Sequence, residues 1–328
     1  MTYSSQGLIQ AADYNGFVNN TVGANVNASW NTAYGQTAIS TVSALTDLVT
    51  APQWATLVNT LASLGAHTNT TITARTAPTS GQTIGILAAL NTDITNCFTN
   101  RFNAVSNGTQ FTGWTGTNSK TTQTGTSGGA AWSITFTNTV TWTSSAAASY
   151  FFNAGGIIRI QTDKSSTGLT GDPEWNDLAA NRMGLISITK GGLTQVIAAS
   201  SYTGSTVTGG TVPPAITVPG TGWDSLVAGA AATIVYKQFA DTAPYTSNYI
   251  QHAIAKGASS NTLVITTTWV AVDTNTPPVG GTDPISGGTA PTGATPGTAP
   301  CTVVTYFPPE STNLTNTWGT PTVAASVA

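Results

Sequence analysis

The chain has 328 residues, 40% of them apolar, so it is long enough for two domains with real hydrophobic cores. Only 6% of its residues are charged, where roughly 25% is typical, so hydroxyl and amide groups must cover its surface, unlike that of an ordinary cytoplasmic enzyme. The nine basic residues are scattered and the net charge is −3, which excludes a nucleic-acid partner, and the absence of long apolar runs excludes a membrane span.

Residues 1–106 carry helical periodicity and predict a small helical module that anchors or oligomerises the protein. A first helix is expected over residues 8–30, although Gly16 and Gly23 weaken its pattern. A second helix should begin after Thr50 as N-cap, with a proline in its first turn, and stop at Gly65. A third is expected over residues 82–105.

The third predicted helix carries an apolar stripe with spacings of three or four residues. We expect this stripe to pack within its own module or against a symmetry mate, and it is therefore the predicted subunit interface. Its residues are Ile84, Leu87, Ile94, Phe98, Phe102 and Val105.

Residues 107–273 alternate in the manner of β-strands and predict a β-rich, sandwich-like domain. The alternation is clearest at 132–142. Tyr150 to Phe152 is interpreted as a strand that a tight turn joins to a strand at 157–160. Further strands are expected at 185–189, 194–199, 233–239, 249–255 and 263–273, with one short helix beginning at Asp172.

Residues 274–328 begin with a Pro/Gly/Thr-rich linker to about residue 300, followed by a last strand at 302–307. The predicted fold class is therefore α+β, with a small N-terminal helical module followed by a larger antiparallel β-sandwich-like region. Cys97 and Cys301 either form one bridge or remain two unpaired thiols.

Two groups of short motifs resemble proteins of tailed bacteriophages. Residues 7–15, 34–36 and 54–57 resemble the start of virion structural proteins, cyanophage proteins among them. Residues 149–160, 175–178 and 184–188 are similar to a block in tail and baseplate-associated proteins. The resemblance implies a virion subunit, and tail fibres of this kind imply a homotrimer.

Motifs that would indicate catalysis are weak. Residues 125–129 match G-x-S-x-G, but the buried strand that should precede this motif is absent from the sequence pattern. Asp224 or Asp241 and then His252 follow in the chain order of a hydrolase triad, and this order is all that supports them as partners. The acidic cluster around Glu174 is explained by a helix N-terminus. His67 and His252 share no metal-ligand spacing. We therefore expect no enzyme, no cofactor and no metal site.

Tryptophans beside glycines are the candidate ligand-binding residues. Trp114 and Trp223 each lie in such a stretch, and exposed indole rings there would offer flat platforms for sugar rings. The sequence thus predicts a structural component of a phage virion, located in the tail, baseplate or a fibre, with other virion proteins and its own copies as partners. The alternatives are a fibre or adhesin that binds a host surface glycan and, less favoured, a polysaccharide depolymerase.

Overall fold

The structure is a computed structural model that describes residues 11–20, 23–43, 48–80, 87–105, 118–119, 122–124, 132–164, 172–211, 214–243, 245–272, 284–286 and 301–328. Its α-helices are α1 (Ala11–Asn19), α2 (Ala51–His67), α3 (Leu87–Thr99), α4 (Ser145–Asn153) and α5 (Asp172–Asn176). Single turns of π-helix (Ala28–Ala33, Asp177–Arg182) and of 3₁₀-helix (Trp223–Ser225) complete the helical part.

The strands are β1 (Asn118–Ser119), β2 (Thr122–Thr124), β3 (Trp132–Thr141), β4 (Ile157–Asp163), β5 (Leu185–Ile188), β6 (Gln195–Ile197), β7 (Ser200–Tyr202), β8 (Ser205–Thr208), β9 (Ile216–Thr217), β10 (Thr233–Phe239), β11 (Tyr249–Lys256), β12 (Thr262–Ala271), β13 (Pro284–Ser286), β14 (Cys301–Phe307) and β15 (Thr322–Val327). They form a six-stranded sheet in the order β15-β3-β12-β11-β10-β9 and a five-stranded sheet in the order β1-β14-β4-β5-β8. Every pair in these sheets is antiparallel, so the predicted α+β class is confirmed.

Helix α2 begins where the sequence predicts but ends later. The backbone N–H of Thr50 donates to the Gln53 side chain at 2.7 Å, which caps the first turn. Gly65 lies inside the helix, which continues to His67. A Cβ on Gly65 would lie 3.0 Å from the carbonyl oxygen of Thr70, so this glycine lets the chain fold back closely over the helix and is no stop signal.

The predicted strand at Tyr150 to Phe152 is wrong, because these residues belong to helix α4. The Ser144 hydroxyl accepts the backbone N–H of Ala147 at 3.0 Å, and the alanines that follow favour a helix. Phe151 and Phe152 are both buried on this helix. The strand expected after the turn is confirmed as β4.

The other two N-terminal helices are shorter than predicted. The first is split into α1 and a π-helical turn, and Gly23 between them has a φ of +100°. The third ends at Thr99, and the N-terminal part of its predicted range, at 82–86, lies outside the described residues. Glycine and amide residues therefore interrupt patterns that apolar spacing alone would extend.

The long strands follow the predicted alternation. The six-stranded sheet buries Ile134, Phe136, Val140 and Trp269 on one face, and the strand predicted at 233–239 matches β10. Residues 274–300, the predicted linker, lie outside the described residues except for β13, which pairs with β2. No helix in the described ranges is long and apolar enough to cross a membrane.

The segment after β14 packs back on the N-terminal helices. The side-chain amide of Gln36 donates to the carbonyl of Thr315 at 2.7 Å and accepts the N–H of the same residue at 3.0 Å. The Thr317 hydroxyl donates to the carbonyl of Tyr34. Buried residues of the helices and both sheets accordingly form one continuous hydrophobic cluster.

Candidate functional site

A pocket of about 350 Å³ lies where the end of α2, the segment after α3 and the β6–β7 hairpin meet. We call it the amide pocket. The described residues that line it are Thr68, Asn69, Asn100, Asn103, Ala104, Val105, Val196, Ala198 and Ala199. Among these residues are three side-chain amides and one hydroxyl but no ionisable group.

The first wall is the C-terminal end of α2. The Thr68 hydroxyl donates to the carbonyl of Leu64 at 2.8 Å and thereby caps the helix. Asn69 then adopts a left-handed conformation with a φ of +53°. Asparagine tolerates this region better than most residues, so it reverses the chain here and places its amide at the pocket.

The second wall is a tight turn after α3. The N–H of Asn103 donates to the carbonyl of Asn100 at 2.8 Å, which closes a four-residue turn. The first and last residues of the turn line the pocket, whereas the two central residues, Arg101 and Phe102, do not. The Asn100 amide also donates to the Thr70 hydroxyl at 3.1 Å, so its orientation is fixed and its carbonyl oxygen stays available.

The third wall is the hairpin of β6 and β7, which the sequence predicted as one continuous strand at 194–199. Ala198 and Ala199 form its two-residue loop, with φ values of +50° and +63°. Such loops favour Asn-Gly, because a left-handed residue with a Cβ costs roughly 1–2 kcal/mol. Of the four left-handed non-glycine residues in the described ranges, three line this pocket, the concentration of strain that is typical of functional sites.

Backbone hydrogen bonds hold the three walls together. Ala104 donates to the carbonyl of Val196 at 2.9 Å and accepts the N–H of Ala198 at 3.0 Å. Val105 donates to the carbonyl of His67 at 2.8 Å. The pocket is therefore preformed, which reduces the entropy lost when a ligand binds.

A buried hydrogen-bonded pair, His67 and Glu310, lies next to the α2 wall of the pocket. His67 Nδ1 lies 2.6 Å from Glu310 Oε1, and the other carboxylate oxygen accepts the N–H groups of Thr312 and Asn313 at 2.7 and 2.9 Å. Burial by itself raises the pKa of Glu310, but the hydrogen bonds from His67 and the two backbone groups outweigh it and lower that pKa. The Tyr34 ring and the imidazole pack in a T-shaped arrangement with 5.0 Å between ring centroids.

Burial shifts the pKa values of two further candidate groups, Cys97 and His252. Cys97 is a free buried thiol, and burial together with the negative charge of Asp93 raises its pKa to about 11, so it is a poor nucleophile. His252 is also buried, and burial lowers its pKa to about 3. Its Nδ1 lies 2.9 Å from the Thr267 hydroxyl. Within the described ranges no three His, Cys, Asp or Glu side chains are grouped in a way that could hold a metal ion.

The prediction of an exposed Trp223 is wrong. Its ring is 1% exposed and stacks on Phe152 with 5.2 Å between centroids. The neighbouring Gly222 allows close chain packing, since a Cβ there would lie 2.4 Å from the carbonyl oxygen of Thr189. Glycine beside this tryptophan therefore indicates burial and not display. Trp114, the other predicted platform, lies outside the described residues.

The residues of the predicted interface stripe differ in their solvent exposure. Ile94 is buried in the core of its own chain, whereas Phe98, Phe102 and Val105 are partly exposed. Ile84 lies outside the described residues, as does the side chain of Leu87. Val105 contributes to the amide pocket, which the sequence analysis missed, although the asparagines that follow both helices were a usable signal.

The other predicted features with chemical meaning have structural roles or are not described. Glu174 is buried, and one of its carboxylate oxygens accepts the N–H groups of Asp241 and Thr242 at 3.1 and 3.4 Å. The G-x-S-x-G match at 125–129 lies outside the described residues. No family model, curated protein or solved structure matches this chain.

Proposed function

We propose that this chain is a structural subunit of a bacteriophage virion, associated with the tail, baseplate or a fibre, and that it acts through contacts with neighbouring subunits. The observation that carries the proposal is the open edge strand β15. The assignment to a phage particle rests on the resemblance of residues 149–160 to tail and baseplate-associated proteins and of residues 7–15 to virion structural proteins.

Among the described strands, none pairs with the outer edge of β15. Ala328 and Thr135 exchange two backbone hydrogen bonds of 2.9 Å. In an antiparallel pair this pattern repeats every second residue, so Ser326, Ala324 and Thr322 also direct their backbone N–H and C=O groups toward β3. The alternate residues Val323, Ala325 and Val327 therefore direct their N–H and C=O groups away from β3. Within the described ranges β15 is the last strand of its sheet, so another extended segment can pair with it there.

The side chains of β15 also lack a complete cover. Val323, Ala325 and Val327 pair with Val140, Asn138 and Phe136, whose side chains are fully buried. Val327 nevertheless keeps 40% of its surface exposed, and Ala325 is exposed as well. Apolar residues on the inner face of a sheet edge, without cover, are typical of a surface that buries itself against another subunit.

Protective features of solitary edge strands are missing from β15. Soluble monomers place lysine, proline or a bulge on such edges to prevent pairing between molecules. The strand Thr322–Val327 contains no charged residue and no proline, and its pairing with β3 is regular. We therefore propose that copies of the chain associate through this edge; a threefold assembly is what the resemblance implies.

Light scattering coupled to size-exclusion chromatography tests association through β15. We expect the full chain to be oligomeric and Ala325→Pro to be monomeric, because the N–H removed at Ala325 points outward and leaves the pairing with β3 intact. The matched variant Ala325→Thr, a good strand former, should remain oligomeric. A monomeric wild-type chain would refute the subunit proposal, as would absence of the protein from purified phage particles in quantitative mass spectrometry.

The amide pocket favours a second function, binding of a host surface glycan. Amides and hydroxyls exchange hydrogen bonds with sugar hydroxyl groups, and the alanine and valine walls suit the apolar face of a sugar ring. In a glycan array, the full chain should bind saccharides and Asn100→Ala should lose the signal. Asn181→Ala, which removes an exposed amide bonded to Asp177, should keep it. We expect no release of reducing sugar.

A further inference from the structure

Three of the nine basic residues of the chain lie around two aromatic rings beside the amide pocket. We call Arg101, Lys190 and Lys256 the cationic cluster. Arg101 and Lys190 place their charged groups 4.5 and 4.3 Å from the centroid of the Phe102 ring. The two charges are thus at most about 9 Å apart, within the range of about 10 Å over which charges interact at moderate salt.

Lys256, the third member of the cluster, lies over the Trp223 ring, and the residue after Trp223 contacts Lys190. Lys256 places its ammonium 4.3 Å from the centroid of the Trp223 ring. The adjacent Asp224 carboxylate forms an ion pair with Lys190. In the described part of the chain, Asp224 is the one carboxylate that forms an ion pair with any of the three cations, so the cluster keeps an excess of positive charge.

The cations of the cluster are buried or partly buried, so their mutual repulsion is only weakly screened by solvent. Burial, reinforced by the positive charges of Arg101 and Lys256, lowers the pKa of Lys190 to about 8 even though Asp224 is in contact with it. The Lys190 side chain is only 9% exposed, whereas that of Asp224 is 40% exposed. An added anion would find the cations already positioned and would relieve their mutual repulsion.

The tight turn after α3 connects this cluster to the amide pocket. Asn100 and Asn103 line the pocket, and Arg101 and Phe102, the two residues between them, belong to the cationic side. Arg101 directly follows Asn100, and consecutive Cα atoms are about 3.8 Å apart, so a short oligosaccharide is long enough to contact both the pocket and the cluster. Residues 100–103 therefore contribute two amides to the pocket and one cation, Arg101, to the cluster.

We propose that this part of the chain binds an acidic saccharide, with a sugar carboxylate at the cationic cluster and neighbouring hydroxyl groups in the amide pocket. The inference rests on the second proposed function and adds the charge class of the glycan; it does not depend on association through β15. Arg101 supplies the planar fork that suits a carboxylate, and the exposed Asp224 is the internal anion with which the ligand competes.

Calorimetric titration of the full chain with a trisaccharide of galacturonic acid and with its neutral, carboxyl-reduced counterpart tests this assignment. At low salt we expect the acidic trisaccharide to bind at least tenfold more tightly than the neutral one. Equal affinities would overturn the inference and leave glycan binding standing. Absence of binding by either sugar would refute both, and inorganic phosphate binding as tightly as the trisaccharide would overturn the saccharide assignment.

Substitutions then separate a binding role from a structural one. Arg101→Gln should weaken binding of the acidic ligand about tenfold, and Arg101→Lys, which keeps the charge but loses the planar fork, should have an intermediate affinity. Asp224→Asn removes the competing carboxylate and should tighten binding about threefold, which a merely structural role would not produce. Lys237→Gln is the matched control, because Lys237 lies 3.5 Å from the centroid of the Tyr249 ring and outside the cluster. An equal loss in Lys237→Gln, or weaker binding in Asp224→Asn, would contradict the assignment.

Discussion

Replacement of Glu310 by glutamine should destabilise the fold by about 3 kcal/mol. The Glu310 carboxylate is 3% exposed and meets three N–H donors, from His67, Thr312 and Asn313. Glutamine has the same size but only one acceptor oxygen, so at least one buried donor would face an NH₂ group. A buried unsatisfied donor costs about 1–3 kcal/mol, and a hydrogen bond to a charged group such as this carboxylate contributes about 1.5–3 kcal/mol.

Urea denaturation followed by tryptophan fluorescence measures this loss, and Glu174→Gln is the control. Glu174 accepts its two backbone N–H groups on a single oxygen, which glutamine retains, and its bonds are longer, at 3.1 and 3.4 Å. We expect Glu174→Gln to cost about 1 kcal/mol or less, since a typical neutral hydrogen bond contributes about that much. Equal losses in the two variants, or a loss below about 1 kcal/mol for Glu310→Gln, would refute the reasoning from acceptor number.

The pH dependence of stability gives a second readout for Glu310. Its pKa is lower in the folded protein than the usual 4.5, so its contribution is present above pH 4.5 and is lost as the pH falls through the lowered value. Denaturation curves between pH 6 and pH 3 should therefore show a loss of stability in the wild type that is smaller in Glu310→Gln. Parallel profiles for the two proteins would contradict the assigned direction of the pKa shift.

Three further predictions concern buried or strained positions. The pKa of His252 falls from 6.5 to about 3 on folding, so the free energy of unfolding should drop by about 2–3 kcal/mol between pH 7 and pH 4.5. His252→Gln should remove this pH dependence from urea denaturation curves, and an unchanged pH dependence would contradict the prediction. Gly35→Ala should cost about 2–3 kcal/mol in urea denaturation, because φ is +70° and a Cβ would lie 2.3 Å from a Tyr150 ring atom; a cost under about 1 kcal/mol would be inconsistent with that clash. Combined Ala198→Asn and Ala199→Gly should raise the free energy of unfolding by about 1–2 kcal/mol, because these residues suit the left-handed hairpin loop, and no gain would argue against strain there.

The positions of the functional groups depend on contacts that sequence spacing does not report. His67 and Glu310 are 243 residues apart, and neither lies in a motif that points to the other. Trp223 appeared exposed from its glycine neighbours, but the chain around Thr189 packs directly against them. Tyr150 belongs to a helix because the Ser144 cap and a run of alanines outweigh its aromatic neighbours.

By itself, the sequence determined the charge-poor composition, the capped helix α2 and the long alternating strands β10, β11 and β12, because periodicity reports directly which side of an element is apolar. Only the tertiary structure decided which polar groups are buried together, where the amide pocket forms, and that Arg101, Lys190 and Lys256 lie around the Phe102 and Trp223 rings. The physical reason is that a polar side chain acquires its partner from long-range packing, and local spacing carries no information about a residue brought close from far along the chain.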